Sequence, residues 1–311
     1  MLGYDVIGDI HGQAGKLVAL LRKLGYTLAD GTWRPPAGRQ AVFIGDLIDR
    51  GPEQVEVLRI VRSMVDAGHA RVVMGNHEWN AIGYATPDRE KPGEFLRRRS
   101  AKNQAQHAEF LKQVGQDSGL HRELIDWFKT LPPTLDLEQI RLVHAWWHQP
   151  FVDQVAARLP DGGVMDDDFL HKAFTSGLPE WEAMEGLTKG HEISLPHGHS
   201  FIDHSGAERR EVRTRWWLDR PRTYRDVALV GDQQHRVPDL PLPTDYAARP
   251  VEGSPIFIGH YWMSGRPEPQ SPKVACVDYS AAHQGPLVAY RWDGESHLDP
   301  RNFIAAGGAG Q

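Results

Sequence analysis

Cysteine is almost missing from this 311-residue chain: Cys276 stands alone, so no intrachain disulfide can form, which fits a reducing cytoplasm. An excess of positive charge is missing too. The 35 Lys and Arg face 41 Asp and Glu, a formal net charge of −6, so no global basic field draws the chain to nucleic acid or to an anionic membrane. No apolar run approaches the roughly 18 residues that a membrane span needs. The opening Met1-Leu2-Gly3-Tyr4-Asp5 lacks the basic and then apolar regions of a signal peptide. These absences point to a cytoplasmic protein with no membrane partner and with nucleic acid disfavoured. Cys276 has no arginine six positions on, and neither a G-x-S-x-G elbow nor a Walker-type loop occurs. Cysteine-phosphatase, serine-hydrolase and P-loop NTPase chemistries therefore lack support.

What is present is an ordinary globular composition, 40% hydrophobic and 24% charged, on a chain long enough for one large domain with an insertion, or for two domains. Apolar runs predict strands over Tyr4–Ile7, Gln40–Ile44 and Arg71–Met74. Helical spacing of Leu17, Leu20, Leu21 and Leu24 predicts a helix over about 14–24, and Val57, Ile60, Val61 and Met64 one over 53–67. Strand, loop and helix alternate, which implies an α/β sheet with active loops beyond the strand ends. A helical stretch over about 93–130 is punctuated by Gly115 and Gly119, and Pro132-Pro133 stops it. A hairpin, Thr134–Leu137 and Ile140–Val143, then delivers His144. From about 149 to 250 prolines, acidic clusters and paired tryptophans change the texture, and Glu192–Leu195, Ser200–Asp203 and Arg210–Trp217 suggest a small β-rich insertion. Strands resume at Pro255–Ile258, Val274–Asp278 and Leu287–Trp292. The Gly/Ala-rich tail from Ala305 to Gln311 reads as disordered.

Four short segments carry the chemistry: Gly8-Asp9-Ile10-His11-Gly12, Gly45-Asp46-Leu47-Ile48-Asp49-Arg50-Gly51, Gly75-Asn76-His77-Glu78 and Gly259-His260. Each alone reads as an ordinary turn, since Asp, Asn and Gly favour turns. All four follow a strand, and with His144 they supply oxygen and nitrogen donors for two metal ions. Asp9 and His11, two apart on an extended turn, point the same way. Asp46 is the natural bridge, and Asn76, His144 and His260 surround the second ion. Two divalent metals lower the pKa of a bridging water and clamp the oxygens of an in-line phosphoryl displacement. Mixed imidazole and carboxylate donors suit Mn first, with Fe, Zn or Ni compatible, and the absence of thiolates argues against a structural zinc site.

These blocks resemble the calcineurin-like metallophosphoesterases, and within them the branch of phosphoprotein phosphatases and symmetrical diadenosine tetraphosphatases. Trp127-Phe128-Lys129-Thr130-Leu131-Pro132-Pro133, Ile140-Arg141-Leu142-Val143-His144-Ala145 and Val274-Ala275-Cys276-Val277-Asp278 are similar to stretches of the bacterial tetraphosphatases. The resemblance covers about 4–147 and 255–293, not the segment between. It implies an α/β fold, a metallophosphoesterase-type β-sandwich flanked by helices, here with a β-rich insertion. The catalytic domain would be 1–148 with 255–304, the inserted cap-like segment 149–254 and the tail 305–311. It implies that Asp9, His11 and Asp46 hold one metal, and Asp46, Asn76, His144 and His260 the other. Arg50 would grip phosphoryl oxygens with its paired donors. His77 would protonate the leaving group, oriented by Asp49. It also implies a second phosphate-contacting arginine from the inserted segment, for which Arg213 and Arg215 are the candidates. One departure stands out. Where many members read G-H-x-H, this chain reads Gly259-His260-Tyr261-Trp262, so a ligand to the first metal is missing, as in the phosphoprotein phosphatase branch.

Trp147 and Trp262 are candidates to stack a substrate base, and core packing is an equal account of them. His197-Gly198-His199 reads as a solvated turn, Asp166-Asp167-Asp168 as a helix cap, and Arg97-Arg98-Arg99 as a helix face. The expected function is hydrolysis of a phosphate ester or anhydride by a metal-bridging hydroxide, in a dinucleoside polyphosphate or another small phosphorylated metabolite. A serine/threonine phosphoprotein phosphatase is the alternative, and a nucleic-acid end-processing phosphoesterase a further one.

Overall fold

The structure is a computed structural model that describes residues 2–159, 163–202, 206–244, 246 and 250–307. They fall into two compact units, Met1–Lys189 with Ser254–Gln311, and Gly190–Gly253. The first unit opens with β1 (Gly3–Ile7), α1 (Ala14–Lys23), β2 (Thr27–Ala29), β3 (Thr32–Arg34) and β4 (Arg39–Phe43). It continues through α2 (Gln54–Asp66), β5 (Ala70–Val72), α3 (Asn76–Ala85), α4 (Ala101–Val114) and α5 (Gly119–Phe128). Next come β6 (Thr134–Asp136), β7 (Arg141–Val143), α6 (Gln149–Arg158), α7 (Asp167–Ala173) and α8 (Pro179–Lys189). The second unit holds β8 (Glu192–Ser194), β9 (Phe201–Ile202), β10 (Glu208–Arg209), β11 (Glu211–Arg213) and α9 (Tyr224–Val227). The first unit then closes with β12 (Ile256–Ile258), β13 (Val274–Cys276), β14 (Leu287–Trp292) and β15 (Phe303–Ala306).

Two sheets form the sandwich of the first unit. One has the order β15-β14-β1-β4-β5, with β1, β4 and β5 parallel and β14 and β15 antiparallel to their neighbours; Val6 sits opposite Val42 on one side and Tyr290 on the other. The other has the order β13-β12-β7-β6, with β13, β12 and β7 parallel and Ile258 opposite Cys276. Side chains two apart on a strand share a face. Tyr4 with Val6, Val42 with Ile44, and Tyr290 with Trp292 accordingly meet Leu142, Phe257 and Ala275 of the second sheet in one buried core. The helices α1 and α2 bury Leu17, Leu20, Leu21 and Val57, Ile60, Val61, Met64, the stripes that the spacing predicts. The β-sandwich with flanking helices is thus as expected. No helix among the described residues is long and apolar enough to cross a membrane.

Several elements differ from the sequence expectation. Residues 76–85, for which the sequence predicts only a turn opening at Gly75, form α3, and residues 93–100, expected to begin the helical stretch, precede α4 without forming a helix. Helices α6, α7 and α8, at residues 149–158, 167–173 and 179–189, group with the first unit, and the second compact unit begins at Gly190. Ala305 and Ala306, assigned to a disordered tail, pair with Val288 and Leu287 as part of β15; residues 308–311 of that tail lie outside the described residues. In the second unit the strand expected to reach Trp217 stops at Arg213, and Asp203, expected to end another, lies outside the described residues. That unit has a small core of its own around Leu195, Phe201, Val212, Tyr224 and Val237.

A buried charge holds the first sheet to its surroundings. Asp5 in β1 is fully buried and accepts from Arg291 Nε at 2.8 Å, Arg39 Nη2 at 3.1 Å and Tyr26 Oη at 3.1 Å. Removing the carboxylate takes the buried counter-charge from two guanidinium groups that are mostly out of water and leaves them carbonyl partners and, for Arg39, the exposed Asp293. Asp5→Ala is expected to destabilise the protein by about 3 kcal/mol, measured from urea unfolding midpoints.

Candidate active site

Six strand ends converge because three parallel strands in each sheet point the same way. In the first sheet β1 leads to Asp9 and His11, β4 to Asp46, Asp49 and Arg50, and β5 to Asn76 and His77. In the second, β7 leads to His144, β12 to His260 and β13 to Asp278. The turns are tight enough to need unusual backbone. Outside glycine, φ is 47° at His11, 50° at Asp46, 67° at Asp49, 73° at Arg50, 69° at His260 and 50° at Trp262. Such left-handed residues cost on the order of 1–3 kcal/mol each and persist only where the surroundings over-determine them. Gly45, at φ 96°, and Gly75 press backbone to backbone: a Cβ on Gly45 would lie 2.4 Å from the nitrogen of Gly75.

Asp46 is the hub. Its Oδ1 accepts the backbone N–H of His77 at 3.0 Å, and its Oδ2 faces Nε2 of His144 at 3.3 Å, His11 at 3.5 Å and His77 at 3.9 Å. Two groups of donor atoms converge, each within 4.8 Å: His11, Asp46 and His77, and Asp46, His144 and His260. Asn76 Oδ1 adds an oxygen to the second, 3.1 Å from His144 Nε2 and 2.8 Å from His260 Nδ1. The imidazoles are preset. His11 Nδ1 donates to the carbonyl of Ile48 and His144 Nδ1 to that of Ile44, both at 2.8 Å, which turns each Nε2 towards the centre. Asp9 holds the backbone N–H of His260 with Oδ2 at 3.0 Å, while its buried Oδ1 has no hydrogen-bond partner. A buried carboxylate oxygen without a donor is costly, and a cation would offset that cost. The residues present fit divalent metals on donor type, ring orientation and this orphaned oxygen.

Without a cation between them, the carboxylates and imidazoles of the centre shift one another strongly. Burial, then the charges of Asp278 and Asp46, push the Asp9 carboxyl well up, with His144 opposing. Burial, then His77, pushes His11 down to about 3, so it is neutral and able to bind a metal. Burial opposes ionisation of Asp46, yet His144 and His77 hold it well below the usual carboxylate range. His144 is raised to about 10, because Asp46 and Asp9 outweigh its burial.

His77 stands beside this centre. Its Nδ1 lies 2.5 Å from Asp49 Oδ2, and its pKa is raised because Asp46 and Asp49 outweigh burial. Asp49 is depressed to about 2: burial opposes, and hydrogen bonds from His107 and His77 prevail. Arg50 is exposed and reaches His11 Nε2 at 3.1 Å and His77 Nε2 at 3.3 Å, with its guanidinium carbon 4.2 Å from the ring centroid of Trp262. Trp262, at the position for which the G-H-x-H pattern led to the expectation of a histidine, stacks on the arginine instead.

The other residues that the sequence singled out have partners of their own. Trp147 is buried, donates Nε1 to Gln149 Oε1 at 3.1 Å and lies under Arg141. Arg213 and Arg215 belong to the second unit; Arg213 pairs with Glu192 at 3.4 Å, and Arg215 donates to the carbonyl of Asp226. Asp166 caps α7 through Phe169 N–H at 2.7 Å, as read from the sequence. Arg97 is bound to the side-chain oxygens of Asn80, Asn103 and Gln106, and Arg99 lies over Phe95.

Three residues of the site escaped the sequence reading. Glu78, fully buried in the first turn of α3, accepts the N–H groups of Asp46, Leu47, Ile48 and Gly75 and so clamps the Asp46 turn to the helix. Its place in Gly75-Asn76-His77-Glu78 was visible, but not its direction. His107 meets Asp49 from α4. Asp278 fixes the Trp262 loop, accepting from Trp262 N at 2.8 Å and Ser280 N at 3.0 Å.

This fold and this clustering of ligands at strand ends define a metallophosphoesterase. The chain belongs to the calcineurin-like phosphoesterase family, whose profile matches residues 4–234 and so runs into the segment that the motifs left uncovered. Over 76 residues it is 49% identical to the asymmetrical bis(5'-nucleosyl)-tetraphosphatase PrpE of Bacillus velezensis, covering 24% of this chain and 30% of that one. Over 89 residues it is 39% identical to the symmetrical bis(5'-nucleosyl)-tetraphosphatase of Cronobacter sakazakii, 28% of each chain. The matches span less than a third of the length of these curated relatives. A solved protein serine/threonine phosphatase from Saccharomyces cerevisiae shares the fold, with TM-score 0.51 and 16% identity over 100% of this chain and 81% of that one.

Proposed function

We propose that this chain is a divalent-metal-dependent hydrolase of phosphate esters or anhydrides whose substrates are dinucleoside polyphosphates. The observation that carries the reading is one carboxylate, Asp46, shared by two converging donor groups with the His77–Asp49 pair beside them. Asp9, His11 and Asp46 would hold one ion, and Asp46, Asn76, His144 and His260 the other, Mn²⁺ being the first choice for this donor set. Bound there, the metals supply a water of lowered pKa and neutralise phosphoryl charge. The remaining work falls to side chains. Arg50 turns its fork from the two histidines to the phosphoryl oxygens. Asp49 holds the Nδ1 proton of His77, so that Nε2 carries the proton given to the leaving oxygen. Trp262, 39% exposed next to Arg50, suits stacking of a nucleobase. The segments shared with both kinds of tetraphosphatase support the substrate class.

The test is turnover by metal-stripped protein before and after refilling with Mn²⁺. The substrates are p-nitrophenyl phosphate, bis-p-nitrophenyl phosphate, diadenosine tetraphosphate and a phosphopeptide. Cleavage only in the refilled protein, fastest on diadenosine tetraphosphate, is expected. Preference for the phosphopeptide would overturn the substrate assignment, and no metal-dependent cleavage of any would overturn the reaction class.

A further inference from the structure

His107 lies outside the convergent loops, on α4, yet it reaches the centre of the proton-donor pair. Its buried Nδ1 is 2.8 Å from Asp49 Oδ1, while Asp49 Oδ2 is 2.5 Å from His77 Nδ1. The two carboxylate oxygens are thus divided between two imidazoles. The far nitrogen of the His107 ring, Nε2, is buried and has no hydrogen-bond partner, and the ring packs on Phe110 and Tyr84 at centroid distances of 4.9 and 5.3 Å. An imidazolium there would bury a charged N–H without an acceptor. The arrangement has Nδ1 donating its proton to Asp49.

We infer that His107 is a positioning residue for His77, acting through Asp49 in a chain His107–Asp49–His77. Two consequences follow from one donated hydrogen bond. It fixes the rotation of the carboxylate, so that Oδ2 and not Oδ1 addresses His77. It also draws electron density from that carboxylate, which makes Oδ2 the weaker base and keeps the shared proton on Nδ1 of His77. The ring then presents Nε2 to the leaving oxygen in a constant direction. Packing alone is the competing account. It requires only a ring-sized group between Tyr84 and Phe110, whereas the inference requires an N–H at the place of Nδ1.

The inference rests on His77 being the proton donor, so the experiment separates the two. His107→Asn keeps an amide N–H close to the position of Nδ1; His107→Leu and His107→Phe remove it, the second preserving the ring. In Mn²⁺-loaded protein, both donorless variants are expected to lose about tenfold in kcat on phenyl phosphate, a poor leaving group, and less than about threefold on p-nitrophenyl phosphate, with KM held. His107→Asn is expected to stay within about threefold of the parent on both. In metal-free protein the proton of the short His77–Asp49 bond should give a downfield ¹H NMR resonance that stays put in His107→Asn and moves in His107→Phe. Equal losses on both substrates, an unmoved resonance, or an asparagine variant as impaired as phenylalanine would overturn the role of His107. If His77→Asn itself leaves turnover unchanged, the proton-donor reading falls, whatever the His107 variants do. The resonance decides the coupling of the three side chains even if neither ester is cleaved.

Discussion

Replacing His77 with asparagine is expected to lower kcat on an alkyl phosphate by about a hundred- to ten-thousandfold while metal content stays at the level of the parent protein. The size follows from what the substitution removes. An alkoxide leaving group needs a proton in the transition state, and His77, its Nδ1 held 2.5 Å from Asp49, is placed to give one from Nε2. On p-nitrophenyl phosphate the loss should shrink to about tenfold or less, because p-nitrophenolate departs with little protonation. The metal measurement is the sharper half. His77 Nε2 is one of three donor atoms that converge with His11 and Asp46 within 4.8 Å, so geometry alone admits it as a ligand. Loss of one ion per chain in the variant would make His77 a ligand and remove it from the acid role. Retained metal with the leaving-group pattern above would place it where Asp49 and Arg50 suggest.

The positions that the sequence made legible share one property: each is announced locally. Asp9, Asp46, Asn76, His144 and His260 each follow a short apolar run, so their place at a strand end could be read without knowing what they face. The gathering of those ends follows from parallel strands, which the βαβ alternation already implied. α3 was missed because almost all of it is buried: His77, Glu78, Trp79, Ala81, Ile82, Gly83 and Tyr84 leave no polar face to set up a helical period. β15 was missed because Ala305 and Ala306 resemble a low-complexity tail and are ordered by pairing with β14, a contact no local pattern encodes. His107 reads as any histidine on an amphipathic helix, and only the three-dimensional meeting of α4 with the Asp49 turn gives it a role.

Glu78→Ala is expected to cost about 3–5 kcal/mol of stability and to empty the metal site, although Glu78 is not among the convergent donors. Its two oxygens take four backbone N–H groups, those of Asp46 at 2.9 Å, Leu47 at 2.8 Å, Ile48 at 3.3 Å and Gly75 at 3.1 Å. With alanine these donors are left buried, each forfeiting about 1–3 kcal/mol unless water reaches it. The turn they hold is the one with Asp46 at φ 50° and Asp49 at φ 67°, so released strain offsets part of that loss by letting the turn relax. Relaxation is what removes function: Asp46 Oδ2 must stay near His11 and His144 at once, and a shift of about 1 Å is enough to cost catalysis a hundredfold. Glu78→Gln keeps one acceptor oxygen and opposes the other N–H groups with an amide, so it should fall between alanine and the parent in both melting temperature and bound metal. The two readouts are expected to move together across the series. If Glu78→Ala melts several degrees lower but binds its full complement of metal, the clamp serves only the fold, and Asp46 is held in place by its contacts to His77 and the imidazoles.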